Sequence, residues 1–180
     1  MILLALDLGA TIGCAAGDPA ALRSSYRYVP EVFVEAWALP KGDRGRRFAS
    51  AENEVIAAIK RFKPDMICKE AQLHPSRGKT TANVMAFHSG LHALVESAAW
   101  RSGYKVGTNV LDVPADDVRN GILGRCRLTK EERYRELSMK DVVAMRLEQL
   151  GWPIGLNHNG ADALALWLYK AMQLASRSSV

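Results

Sequence analysis

Ile2 to Leu8 is an apolar run interrupted only by Asp7, and after a turn at Gly9 a second apolar run covers Thr11 to Gly17. Both suit β-strands, and the near-continuous apolarity of the first suits a central strand buried on both faces. Glu31 to Leu39 (EVFVEAWAL) alternates enough to predict a third strand. From Arg47 to Phe62 the period changes. Phe48, Ala51, Val55, Ala58, Ile59 and Phe62 fall on one stripe of a helix, which Pro64 ends. Asp65 to Glu70 (DMICKE) reads as a short fourth strand.

Helical spacing returns between Lys79 and Arg101, at Val84, Phe87, Leu91, Leu94, Val95 and Ala98, and Gly103 stops it. Tyr104 to Val113 predicts a fifth strand. Ser138 and Asp141 have capping-box spacing ahead of Val142, Val143, Leu147 and Leu150, and Gly151 and Pro153 close that helix. A last helix is expected from Asn159 to Ala175, with Leu164, Ala165, Leu168 and Met172 on one face. Three strands, helix, strand, helix, strand and then helices predict an α/β sheet with helices on both faces. There is no internal repeat and no linker long enough to separate domains, so residues 1–180 are expected to form a single one.

Composition narrows the class without naming it. Hydrophobic residues make up 48% and charged residues 24% of the chain, an ordinary globular balance. No apolar stretch approaches the roughly 18–20 residues a membrane span needs. The opening MILLALDLG lacks a basic leader and carries an acid, which predicts a strand and not a signal peptide. Cys14, Cys68 and Cys126 are too few and too scattered for a disulfide framework or a zinc site, which points to free thiols in a reducing cytoplasm.

The net charge of +5 favours an anionic partner. Its distribution says more. Lys41 to Arg47 reads KGDRGRR, His74 to Lys79 reads HPSRGK, and Arg119, Arg125, Arg127 and Lys130 follow one another with no acid between them. These look like basic loops facing a polyanion, although any one of them alone is equally well read as solvated surface.

Against this basic background three acids stand in apolar surroundings. Asp7 lies inside ILLALDLG, Glu70 ends the strand MICKE, and Asp162 is followed by ALALWLY. A carboxylate in such a place is costly unless it is paired, hydrogen-bonded or bound to a metal. Each has a plain structural reading: Asp7 as a turn acid, Glu70 as a partner of Lys69 or Lys79, Asp162 as a helix-start acid in capping-box spacing with Asn159. Gathered in one place, the three would repel severely without a cation, and oxygen-only ligands favour magnesium or manganese.

The ordered set LALDLGATIG, ICKEAQ, SMKDVVAMRLEQLGW and NHNGADALALWLY resembles the RuvC-type Holliday-junction resolvases of the RNase H-like nucleases, particularly compact versions from phages and prophages. The likeness runs over nearly the whole chain, and its most specific feature is the acid followed by ALAL. It implies an α/β RNase H-like fold, with a five-stranded mixed sheet and helices on both faces. It further implies that Asp7, Glu70 and Asp162 hold two magnesium ions, with manganese as a substitute. Lys140 matches a basic residue for which DNA phosphate is a plausible partner. Branched DNA is the implied substrate, a homodimer the implied assembly, and the cytoplasm of a bacterial or phage-infected cell the implied setting.

Two departures from the family pattern matter. Three or four residues before the terminal aspartate the family usually carries another acid or a histidine, where this chain has Asn159 and His158. His158 is the favoured fourth ligand, with Asn159 as its competitor. After Glu70, where the family can present an aromatic wedge, this chain has Leu73 and His74. Arg125, Arg127, Lys130, Arg77 and Lys79 join Lys140 as expected DNA contacts. The apolar stripe between Lys79 and Arg101 fits a dimer contact and core packing equally well.

Other classes fare less well. LALDLGATIG also resembles the first phosphate-binding hairpin of actin-like and sugar-kinase-like ATP-binding proteins, but those need two such domains and 180 residues are too few. RGKT at Arg77 to Thr80 lacks the earlier glycine of a phosphate-binding loop, since position 73 is leucine. A non-catalytic DNA-binding module would not need all three carboxylates. A related nuclease acting on flaps or RNA–DNA hybrid remains the nearest alternative.

Overall fold

A computed structural model describes residues 1–23, 31–72, 81–152 and 158–177. Five strands run β1 (Leu3–Asp7), β2 (Thr11–Gly17), β3 (Phe33–Ala38), β4 (Met66–Glu70) and β5 (Val110–Val113). They form one mixed sheet in the order β3-β2-β1-β4-β5. β1 pairs antiparallel with β2, placing Asp7 opposite Gly13, and parallel with β4, placing Leu6 opposite Lys69. The helices are α1 (Arg44–Phe62), α2 (Ala82–Arg101), α3 (Ala115–Leu123), α4 (Lys130–Tyr134), α5 (Met139–Gln149) and α6 (His158–Arg177).

Side chains alternate across a strand, so β1 feeds two cores. Leu3 and Ala5 pack with Ala15, Cys68 and the apolar faces of α3, α5 and α6. Leu4 and Leu6 pack with Ile12, Cys14, Ile67 and the stripes of α1 and α2. The Trp167 indole of α6 donates to the Leu3 carbonyl at 3.2 Å, pinning the last helix across the first strand.

Several helix ends follow the sequence signals. Ser138 and Asp141 cap α5 reciprocally. Asp43 accepts from the Arg46 amide at 3.0 Å and starts α1 at Arg44, so much of the basic stretch 41–47 is helical and not loop. Lys63, left-handed at φ 45°, closes that helix before Pro64. The fifth strand is shorter than its apolar pattern predicts. Gly103 and Gly107 take positive φ, and the amides of Thr108, Asn109 and Val110 all turn back to the Lys105 carbonyl, so only Val110–Val113 forms a ladder with β4.

The α3 helix is not legible in sequence because it contains Asn120 and Gly121, both poor helix formers. Packing explains the glycine: a Cβ there would lie 2.4 Å from the Tyr169 ring of α6. In α2, Leu91, Val95, Ala98 and Ala99 are buried while Val84 and Trp100 stay exposed. Core packing therefore accounts for much of that helix's apolar stripe.

Cys14, Cys68 and Cys126 are free thiols, and burial pushes the first two up to about 12, which keeps them protonated and inert. Among the described residues no helix is long and apolar enough to cross a membrane.

One polar cluster is buried on the α2 side of the sheet. The Lys69 ammonium is 3.0 Å from Glu96, ion-paired to Asp112 of β5, and donates to His92 Nδ1 at 2.9 Å. Burial first, then the charges of Lys69 and His88, bring His92 down to about 4, so its imidazole is neutral and able to accept. Lys69 thus serves α2 and β5 and not its chain neighbour Glu70, whose side chain leaves the opposite face. Removing a buried charge from its partners is costly, but Asp112 and Glu96 are partly exposed and can rehydrate. Lys69→Ala is expected to cost about 2 kcal/mol in a urea titration. An unchanged midpoint would show that the cluster contributes nothing to stability.

Candidate active site

Asp7 ends β1 and Glu70 ends β4. Both continue the face on which Ala5 and Cys68 meet α6, so both carboxylates emerge beneath that helix. Their approach to Asp162 depends on Gly13. A Cβ at that position would stand 2.0 Å from the Asn159 carbonyl oxygen and 3.0 Å from the Ala163 Cβ. Only a bare α-carbon lets the first turn of α6 lie so close to β2, beside Asp7 in the ladder.

The result is a cavity of about 420 Å³ lined by Asp7, Glu70 and Asp162, with Asn159, Lys140, Arg119, Thr11 and His88 among its other walls. Asp7 is 8% exposed. Burial, then the charges of Glu70 and Asp162, push its carboxyl up to about 8, and a hydrogen bond with Glu70 acts in the same direction. At neutral pH Asp7 therefore tends to hold a proton that an ordinary aspartate would lose.

Lys140, near the start of α5, reaches into the same space. Its ammonium is 2.7 Å from Asp162 Oδ2 and 3.4 Å from Asn159 Oδ1. Burial pulls its pKa down, but the Asp162 hydrogen bond and the charges of Asp162, Asp7 and Glu70 outweigh that and hold it above the usual lysine value. It is therefore a fixed positive charge among the carboxylates.

The donor set is all oxygen, which suits a hard divalent ion, and a buried carboxylate group with an elevated pKa gains most from such a charge. Among the described residues no three His, Cys, Asp or Glu side chains form a ready-made cage. Lys140 engages Asp162, and Asp7 is hydrogen-bonded to Glu70, so ion binding calls for these side chains to turn. The residues fit the group in chemistry and location.

The other expected site residues divide. Asn159 lines the cavity, whereas His158 does not. As the first residue of α6, His158 is half exposed and points its Nε2 to Asp141 at 3.3 Å, so of the two candidate ligands it is Asn159 that stands beside the carboxylates. Arg125 spans Glu132 with both guanidinium nitrogens, while Arg127 and Lys130 are exposed near α4, and none of the three borders the cavity. Leu73, His74, Arg77 and Lys79 lie outside the described residues. Arg119 looks in sequence like one more member of a basic series. Its place on α3 brings it to the cavity wall, with Asp116 3.5 Å from its Nη1.

No protein-family model and no curated protein matches this sequence. Solved structures do. Thermus thermophilus RuvC superposes with a TM-score of 0.66 at 20% identity, over 98% of this chain and 96% of that one. T. thermophilus RuvC in complex with Holliday junction substrate gives 0.71 at 16% identity, with the same two coverages. The yeast mitochondrial Holliday junction resolvase Ydc2 gives 0.57 at 13% identity, over 97% of this chain and 80% of that one. At such identities the likeness is one of architecture, and that architecture is the RNase H-like α/β fold of the RuvC resolvases.

Proposed function

We propose that this chain is a divalent-metal-dependent endodeoxyribonuclease that resolves four-way DNA junctions. The observation that carries the reading is the convergence of Asp7, Glu70 and Asp162 on one cavity. Its support is a fold shared with a RuvC structure described as bound to Holliday junction substrate. Two magnesium or manganese ions, held by the three carboxylates with the Asn159 amide oxygen nearby, would supply an activated water and stabilise the leaving oxygen.

The chain's own residues account for the rest. Hydrolysis joins a water oxygen to phosphorus and breaks the P–O3′ bond, leaving a 5′-phosphate and a 3′-hydroxyl. Asp7 would have to lose its proton before it could serve with Glu70 as a ligand. The Lys140 ammonium, released from Asp162, is then free to pair with the anionic phosphate, and Arg119 offers a second cation on the cavity wall. Arg127 and Lys130, exposed and without a carboxylate partner among the described residues, are the natural contacts for a more distant DNA arm. Symmetric cutting of opposed strands calls for two copies, so the working unit is a homodimer, each copy a single domain over 1–180.

The test is to incubate the protein with four-way junction, flap, duplex and RNA–DNA hybrid, with and without magnesium, and to map the cuts. Paired symmetric nicks in the junction, present only with the ion, are expected. Cleavage confined to flap or hybrid, or none on any substrate, would defeat the junction assignment.

A further inference from the structure

A second cavity opens beside the first and shares three of its walls, Gly9, Ala10 and His88. It measures about 460 Å³, within the range of small-molecule sites, and its remaining walls include Arg44, Arg47, Asn83, Val84 and Phe87. Nothing in the carboxylate chemistry requires it.

Its lining has a definite character. Arg44 and Arg47 stand in the first turn of α1, and Asn83 and Val84 in the first turn of α2, so the positive ends of two long helices converge on it. Neither arginine is ion-paired to a carboxylate among the described residues, unlike Arg101, Arg119 and Arg125. No acid is among the described lining residues.

The Arg47 guanidinium is held in place all the same, 3.9 Å above the centre of the Phe87 ring, and Phe87 is in turn stacked on Phe48 at 5.2 Å with planes 7° apart. Stacking fixes a guanidinium while leaving its N–H donors unspent. Val84 is half exposed beside it and supplies an apolar wall. Gly90 guards this arrangement, since a Cβ there would come within 2.3 Å of Phe48.

The geometry points to a subsite for one unpaired deoxynucleotide of the DNA strand whose neighbouring phosphate enters the carboxylate cavity. Arg44 and Arg47 take its phosphate, and its base lies against the Arg47–Phe87 stack and Val84. A positive groove with an aromatic platform is the pairing of features that holds single-stranded nucleic acid. Continuity through Gly9 and Ala10 places the subsite next to the cut, which rests on the nuclease reading above. The consequence is mechanistic: a fully paired duplex cannot fill both cavities, so the site selects strands that are locally open.

The experiment measures binding and not cleavage. The full-length protein is titrated in EDTA into labelled four-way junctions in which an abasic residue is walked through the nucleotides around the exchange point. At one position the abasic residue should weaken wild-type binding about tenfold, the usual scale for a lost base–aromatic contact. Arg44→Ala, a substitution at an exposed helix start, and Arg47→Ala should each lower affinity and reduce the salt slope by about one. In Arg47→Ala the abasic penalty should vanish, whereas Arg47→Lys, which keeps charge but not the planar stack, should restore the salt slope and not the base preference. Additive effects of Arg47→Ala and the abasic residue, or an unchanged salt slope in Arg44→Ala, would overturn the subsite. Because no cutting is scored, failure to hydrolyse junctions with magnesium would count against the nuclease reading and leave this result standing.

Discussion

Asp7→Asn is expected to abolish the proposed hydrolysis and at the same time to make the ion-free protein more stable. Both effects trace to one carboxyl. With its pKa at about 8 in the folded chain and near 4 when unfolded, Asp7 binds more proton folded than unfolded throughout that interval. Stability therefore falls as pH rises from about 4 to about 8 and is flat beyond, the reverse of an aspartate in a salt bridge. The asparagine amide cannot ionise, so the variant loses this slope. Its advantage should be negligible near pH 4 and reach roughly 3–5 kcal/mol at pH 8, seen as a higher Tm without metal.

Magnesium should reverse the ranking. Ligand binding stabilises only the form that binds, so the wild-type Tm rises with magnesium at pH 8 while that of Asp7→Asn barely moves. Junction binding should survive the substitution. An Asp7→Asn protein that still cuts with magnesium, or that melts below wild type at pH 8 without it, would remove Asp7 from the centre of the site.

Gly13→Ala is expected to be the most damaging single methyl group in the chain. The new Cβ would meet a backbone carbonyl at 2.0 Å, and a backbone atom cannot rotate aside as a side chain can. The first turn of α6 must move away from β2 by about 1 Å or more. Overpacking of this kind costs about 1–3 kcal/mol, and the upper end applies here because Ala163 is also touched. Since Asp162 rides on the same turn, its displacement from Asp7 should reduce cleavage by about a hundredfold beyond any loss of folded protein. The measurement is kcat on a four-way junction at a temperature where circular dichroism shows the variant folded, together with its urea midpoint. Wild-type kcat in a folded Gly13→Ala protein would mean that the close approach of α6 does not position Asp162.

These two substitutions mark the boundary of what pattern alone reveals. Asp7, Glu70 and Asp162 stand out because each interrupts or borders an apolar run, where a charge needs a reason. Lys140 is legible only as a contact for DNA, because nothing in the local sequence around MKDVV says that its ammonium lies 2.7 Å from Asp162. His158 and Asn159 are indistinguishable by spacing. Side-chain direction in the first turn of α6 separates them, sending His158 to Asp141 and Asn159 to the cavity. Gly13 and Gly121 carry no signal at all, since a glycine required by a neighbour far along the chain looks like any other.

From the residues alone came the order of the five strands and of α1, α2, α5 and α6, the capping of α5, and the three acids out of place in apolar surroundings, since all of these depend on neighbours within a few positions along the chain. Tertiary structure decided which of two adjacent residues faces the cavity, where Lys69 and Lys140 send their charge, and that two arginines and a phenylalanine share a groove. Those outcomes depend on how closely α6 and α2 approach the sheet. Such distances are set by packing between segments far apart in sequence, and local periodicity does not encode them.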